Sequence, residues 1–268
     1  MTIDSPGYKT LLEGLAINQE LGLIGWVDIE QKKVFKRSVN GNCFLEFDYP
    51  FVPSNIFELD DEKALLLDDH GVCEFLWRDQ TLNRVFDFSY ELVDKGFRGN
   101  DGVKLPDGSI FFGSMHKSFP LENPGALWLL IKDKISKVDT NTIPNLFVRM
   151  DEGVLVADSH TKLIYKYQMP PLSTKEVWAD LSAYDGEPDG GCLSNNGSIY
   201  IAHWGAAQLL KLTTNGEVID YCCLKVKHPT NCKQYKEKLF VSSATAGLSQ
   251  FDVIDCVDAG KILEVRVF

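Results

Sequence analysis

Short apolar runs recur along this chain, each preceded by a polar residue and a turn. The runs are Leu23 to Asp28, Ala64 to Leu67, Ser109 to Gly113, Val154 to Ala157, Ser198 to Ala202 and Lys238 to Ser242. Ahead of them stand Glu13, Asn55, Asn100, Asn145, Asp189 and Asn231, separated by 42, 45, 45, 44 and 42 residues. Runs this short, bounded by turn residues, read as strands. A period of ~40–50 residues built from short strands is the signature of a β-propeller, one four-stranded sheet per blade. The pattern predicts an all-β, six-bladed propeller with four antiparallel strands per blade, and residues 1–268 as one domain. Equivalent positions in successive blades surround one axis, so the six polar residues are expected to ring a central channel.

The fifth repeat is the clearest. Pro188 to Leu193 reads as its inner strand, Ser198 to Ala202 as the second, Gln208 to Leu212 as the third and Glu217 to Tyr221 as the outer. Asn196-Gly197 suggests a type I′ hairpin rather than a glycosylation site. Pro106-Asp107-Gly108 marks the corresponding turn in the third repeat. Lys261 to Val267 reads either as a partner for blade one or as the third strand of blade six. With the ring residues at one face, the connections after each second strand return to that face. They carry Asp28-Ile29-Glu30, Asp68-Asp69-His70, Ser114-Met115-His116-Lys117, Asp158-Ser159-His160 and His203-Trp204. Four of the five histidines fall there, which predicts a polar rim. Trp26 and Trp204 read as blade packing.

Composition narrows the partners. The chain has 268 residues, 44% of them hydrophobic and 24% charged, and a net charge of −11. Phosphate backbones and anionic membranes repel such a chain, so neither nucleic acid nor membrane is expected. No apolar stretch is long enough to span a bilayer, and Met1 to Gly7 lacks the basic and apolar regions of a signal peptide. The seven cysteines are odd in number and form no CxxC pair. That argues against a zinc site or a disulfide framework and suggests reduced thiols in a cytoplasmic protein. Cys222-Cys223 receive no role.

Several segments together resemble the gluconolactonase and regucalcin (senescence marker protein) family. They are Leu12-Glu13-Gly14-Leu15, Leu23 to Ile29, Phe97-Arg98-Gly99-Asn100-Asp101-Gly102, Ile143-Pro144-Asn145, Ala157-Asp158-Ser159, Pro188-Asp189-Gly190 and Pro229-Thr230-Asn231-Cys232. They occur in the family's order from about residue 11 to residue 244. The resemblance implies a six-bladed propeller that hydrolyses sugar lactones, and in a few members organophosphates. It implies that Glu13, Asn145 and Asp189 hold one divalent cation, that Asp189 also acts on the attacking water, and that Arg98 and Asn100 hold substrate or a water. Two departures stand out. Leu146 follows Asn145 where many relatives have glycine, and Ser114 to Phe119 lacks an acidic residue that several carry.

The residue types fit that chemistry. Glu, Asn and Asp supply oxygen donors, which suit hard cations. Ca²⁺ is the first expectation, with Mn²⁺, Mg²⁺ or Zn²⁺ as alternatives. Three protein ligands leave positions for water and substrate, and a nearby carboxylate can take the water's proton. His116 and His203 are candidate substrate contacts on the rim, and His116 with Lys117 suggests a basic wall that could meet an acidic sugar lactone. The expected activity is metal-dependent opening of a sugar (aldono)lactone to its acid, by a monomer or weak dimer. The alternatives are phosphotriester hydrolysis at the same site, or a non-catalytic propeller that binds calcium or a sugar.

Overall fold

The computed structural model describes residues 10–41, 43–88, 90–93, 95–169, 172, 174–249, 252 and 256–268. They form six sheets arranged as a propeller. Blade one comprises β1 (Leu12–Asn18), β2 (Leu23–Asp28), β3 (Lys33–Ser38) and β4 (Leu45–Asp48). Blade two comprises β5 (Pro53–Leu59), β6 (Lys63–Asp68), β7 (Gly71–Leu76) and β8 (Thr81–Asp87). A helical turn, α1 (Tyr90–Val93), leads to blade three: β9 (Phe97–Lys104), β10 (Ile110–His116), β11 (Gly125–Ile131) and β12 (Lys134–Asn141). Blade four holds β13 (Pro144–Met150), β14 (Gly153–Asp158), β15 (Leu163–Gln168) and β16 (Lys175–Asp180). Blade five holds β17 (Glu187–Leu193), β18 (Ile199–Trp204), β19 (Gln208–Leu212) and β20 (Val218–Cys223). Blade six holds β21 (Pro229–Tyr235), β22 (Lys238–Ser243) and β23 (Ile262–Arg266).

Each blade is an antiparallel meander, with four strands in blades one to five and three described strands in blade six. The segment around residue 264 is the third strand of blade six, with Phe240 opposite Glu264. Blade one draws all four of its strands from residues 12–48, so it needs no partner from the end of the chain.

Apolar side chains fill the seams between blades, because both faces of each inner sheet are covered by neighbours. Six buried clusters occupy six seams. Val27, Ile56 and Phe75 join blades one and two. Leu67, Phe88 and Phe112 join two and three. Phe111, Phe147 and Tyr167 join three and four, and Leu155, Ile201 and Leu210 join four and five. Tyr200, Val241 and Leu263 join five and six, and Trp26, Phe240 and Ile262 close the ring between six and one. The bridge between Leu11 and Ala244 seals that last seam, as does the bond from Thr10 N to Thr245 Oγ1 at 2.8 Å.

Two local features place the site. The inner strands are bulged beside the ring residues: register shifts lie between Glu13 and Ala16, Asn145 and Val148, and Pro188 and Gly191. A bulge twists a strand and re-aims its side chain, here into the channel. The blade-five turn corrects the type I′ expectation. Gly197 N donates to Ser194 O at 3.0 Å, and Gly197 has a positive φ of 84° while Asn196 does not. This is a type I turn followed by a left-handed glycine, and Leu105 to Ser109 repeats it with Gly108 at φ 86°.

All seven cysteines are free thiols, with Cys73, Cys192 and Cys232 buried. Among the described residues no helix is long and apolar enough to cross a membrane.

Candidate active site

At the channel mouth where the inner strands begin lies a cavity of about 180 Å³. Glu13 (β1), Arg98 and Asn100 (β9), Asn145 (β13) and Asp189 (β17) line it together with Ser159, Glu187, Met115 and Trp204. Five of the seven side chains singled out in the sequence thus meet in one place. Two stand apart. His203 is fully buried behind the wall, with Nδ1 3.1 Å from Gln208 Nε2, so it does not reach the cavity. His116 is also absent from the lining; its Nδ1 accepts from Ser118 N and Phe119 N at 3.2 and 3.0 Å. Lys117 is engaged by Asp69, with Nζ 2.7 Å from Oδ2. The basic wall expected from the sequence is therefore not part of the cavity.

The six ring positions divide between two levels. Asn55 faces a second cavity, about 550 Å³, at the other end of the channel, together with Asp101, Lys233, Lys104 and Glu58. Asn231 is buried, and among the described residues its Oδ1 has no hydrogen-bond partner.

A one-way hydrogen-bond relay holds the near wall. Arg98 Nη1 donates to Asn100 Oδ1 at 2.7 Å and to Gly99 O at 2.9 Å. Asn100 Nδ2 donates to Asn145 Oδ1 at 2.7 Å and to Pro144 O at 2.9 Å. Asn145 Nδ2 donates to Ser159 Oγ at 3.0 Å, and Ser159 Oγ donates to Pro188 O at 2.6 Å. Each amide has a fixed orientation as a result, with the Asn145 nitrogen turned toward Ser159 and its oxygen toward Asn100. Leu146 supports the bulge at a price in backbone strain: it is completely buried with φ at 58°. Gly14 and Gly190 are required by close packing, since a Cβ would lie 2.6 Å from Asn55 Cα and 2.3 Å from Asn231 Cγ respectively.

Negative charge exceeds positive charge here. Burial pushes the Glu13 carboxyl up to about 8, and repulsion from Asp101 adds to the effect. Asp189 is held well above the usual carboxylate range, first by burial and then by Glu13, Asp101 and Glu187. Burial also raises Asp101, against the pull of Lys233. Burial lowers Arg98, whose strongest favourable partner is Glu13. In the lining of this cavity three carboxylates, Glu13, Glu187 and Asp189, therefore face one cationic side chain, Arg98. Buried carboxylates without compensating charge are costly, and a divalent cation would neutralise the excess of two. Among the described residues no three His, Cys, Asp or Glu side chains converge as a metal site, while the Asn145 amide lies in the same lining as the Glu13 and Asp189 carboxylates. The donor set of two carboxylates and the Asn145 amide fits a hard cation.

The sequence reading missed Glu187 and Leu11, which line the cavity, placed Ile29 and Met115 only within the rim connections, and assigned Trp204 to packing. Their signal was only their place in the returning connections or at strand ends.

The profile described as SMP-30/Gluconolactonase/LRE-like region matches residues 11–245. An L-arabinolactonase of Azospirillum brasilense is 24% identical over 266 residues, covering 95% of this chain and 87% of that protein. A calcium-binding protein, regucalcin, of Agrobacterium tumefaciens superposes with a TM-score of 0.87 at 21% identity, over 95% of this chain and 89% of that one. A gluconolactonase of Xanthomonas campestris superposes with a TM-score of 0.72 at 14% identity, over 88% and 84%.

Proposed function

The chain belongs to the SMP-30/gluconolactonase/LRE-like family, and on that premise we propose that it is a divalent-cation-dependent hydrolase that opens a sugar lactone to its hydroxy acid. One observation carries this reading: Glu13, Asn145 and Asp189 converge with Arg98 on a small, partly enclosed cavity. A volume near 180 Å³ suits a ligand smaller than the drug-sized molecules that fill ~300–1,000 Å³ pockets.

Glu13, Asp189 and the Asn145 oxygen would hold the cation, Ca²⁺ first. When bound, the cation supplies Lewis acidity toward the ester carbonyl. Asp189 takes the proton of the attacking water, as a carboxylate placed beside it can. Water adds to the carbonyl carbon, the ring C–O bond breaks, and the ring oxygen leaves as a hydroxyl, taking the proton that Asp189 had accepted from the water. Arg98 has five donors; Nη1 is committed to Gly99 and Asn100, which leaves Nε and Nη2 for substrate hydroxyls. Asn100 orients Asn145 and Arg98 together. The protein acts as a soluble-substrate enzyme, without nucleic acid or membrane partners.

The product acid releases a proton, so a pH-indicator screen of aldonolactones reads turnover directly. Metal-stripped protein should be inactive, and Ca²⁺, Mn²⁺, Mg²⁺ or Zn²⁺ added back singly identifies the working ion. Hydrolysis that survives exhaustive chelation overturns the cation-dependent mechanism. A second reading, phosphotriester hydrolysis, is favoured by the apolar share of the wall, Leu11, Ile29, Met115, Ile143 and Trp204. Adding aryl phosphotriesters to the same screen decides between them.

A further inference from the structure

Two residues of blade five form a wall of the cavity that the proposed chemistry leaves unused. Glu187 and Trp204 both line it and sit directly opposite each other in β17 and β18. The indole stacks on His228 at 4.1 Å with an interplanar angle of 13°. His228 is itself buried, 6% exposed, and its Nδ1 lies 2.9 Å from Ala246 O. Backbone crowds the pair closely. A Cβ on Gly186, at φ 84°, would lie 2.5 Å from Trp204 O, and one on Gly247 would lie 3.2 Å from His228 Cε1. Trp204 is thus clamped as a flat, rigid face beside a carboxylate.

That pairing has a chemical meaning. The C–H face of a sugar ring packs on an aromatic face, whose surface is electron-rich, while its hydroxyls donate to a carboxylate. A ring carrying its own carboxylate would bring like charge toward Glu187 in a cavity that already contains Glu13 and Asp189. Of the groups that could have welcomed such a charge, His116 and Lys117 do not line it, and Arg98 is already engaged by Gly99 and Asn100 and faces Glu13. We propose that Trp204 and Glu187 form a specificity wall that accepts the ring face of an uncharged polyhydroxy lactone and rejects lactones bearing a carboxylate, with His228 as the residue that positions the indole. This inference rests on the lactonase reading.

The test compares kcat/KM for a neutral aldonolactone and for a glucarolactone of the same ring size, and measures tryptophan fluorescence during titration with 1,5-anhydroglucitol, a ring ether that cannot be hydrolysed. The wild type should favour the neutral lactone by at least ~10-fold, since like charges in a shared pocket repel. Glu187→Gln should narrow that ratio, and Trp204→Ala should raise KM about tenfold while lowering kcat less. Trp204→Phe keeps an aromatic face and should fall between. His228→Ala should raise KM, and His228→Phe, which retains stacking, should restore it. The ether should change wild-type fluorescence but not that of Trp204→Phe. An unchanged ratio in Glu187→Gln, or an unchanged KM in both Trp204 variants, overturns the wall. If no lactone is hydrolysed, the lactonase reading fails, and the fluorescence titration still decides whether the wall binds a neutral ring: equal responses in wild type and Trp204→Phe overturn it.

Discussion

Ser159 Oγ accepts from Asn145 Nδ2 at 3.0 Å and donates to Pro188 O at 2.6 Å, so a single hydroxyl ties the amide of blade four to the strand that carries Asp189. The hydroxyl dictates which end of the amide turns toward Asn100. Ser159→Ala removes that dictate without touching a proposed ligand. Because outer partners of metal ligands are typically worth 10–100-fold in affinity, Ser159→Ala should weaken cation binding by at least ~10-fold, measured by calorimetry. Ser159→Thr should retain most of the affinity. Equal affinity in all three proteins would show that the amide is oriented by Asn100 alone.

Asp189→Asn keeps the shape and an oxygen but removes basicity and a charge. A drop of at least ~10² in kcat is expected at saturating cation, the lower end for loss of a general base. The variant should melt cooperatively, since its neighbours Glu13 and Asp101 are relieved of repulsion. Full turnover at full cation occupancy would place the base elsewhere.

Cation binding should depend on pH, because a cation competes with the proton on Glu13. That carboxyl titrates near 8 in the cation-free protein, far above its unfolded value. Below the ordinary carboxylate range its contribution to stability is full, and it is lost as pH rises through about 8. Affinity for Ca²⁺ should therefore rise with pH up to about 8, by up to ~10-fold per unit for one proton released, and then level off. Asp189, raised by the same causes, acts in the same direction. Calorimetry in two buffers of different ionisation enthalpy would detect the released proton. Affinity independent of pH between 6 and 9 would contradict the competition.

His203 affects acid stability instead of catalysis. Burial lowers it to about 4, and among the described residues its Nε2 has no hydrogen-bond partner. The neutral ring is favoured on folding, so its contribution is full above the unfolded value near 6.5 and is lost as pH falls through about 4. His203→Leu should flatten the loss of the urea midpoint between pH 6.5 and 4 and leave cation affinity intact. An identical pH profile in the variant would mean that the ring is protonated when folded.

Leu146 is a completely buried side chain on a left-handed backbone, with φ at 58°. Glycine would release the left-handed strain, worth of order 1–3 kcal/mol, but would also delete a completely buried side chain packed between blades four and five. Large-to-small core changes cost about 2–5 kcal/mol. Leu146→Gly should therefore be destabilising by about 1–3 kcal/mol in urea melts. A more stable variant would show that strain outweighs packing here.

The ring spacing was legible because each blade is a local repeat. Sequence alone placed Glu13, Asn100, Asn145 and Asp189 at equivalent strand starts, and all four meet in the cavity. The rim was less legible because its side chains depend on partners far along the chain. Lys117 looked free until paired with Asp69, 48 residues away. His203 lay beside Trp204 in the sequence, yet strand alternation turns one inward to burial and leaves the other at the cavity. Asn196-Gly197 carried a signal shared by two hairpin types, and only backbone angles separate them. Asn55 and Asn231 kept the period, yet Asn55 lines the second cavity and Asn231 is buried outside both linings, which spacing cannot reveal.

The seam between blades six and one also sets an order of events in folding. Leu11 pairs with Ala244, and Trp26 packs with Phe240 and Ile262, so the first blade synthesised waits for the last before its outer flank is covered. Contacts so distant in sequence are slow to form, because loop-closure entropy must be met first. Glu13 and Asp189 belong to the first and fifth repeats, so no nascent chain short of five blades holds both carboxylates. Capture of the proposed cation would thus await near-completion of the propeller, and the bound ion would favour the closed ring over open, aggregation-prone arcs by mass action.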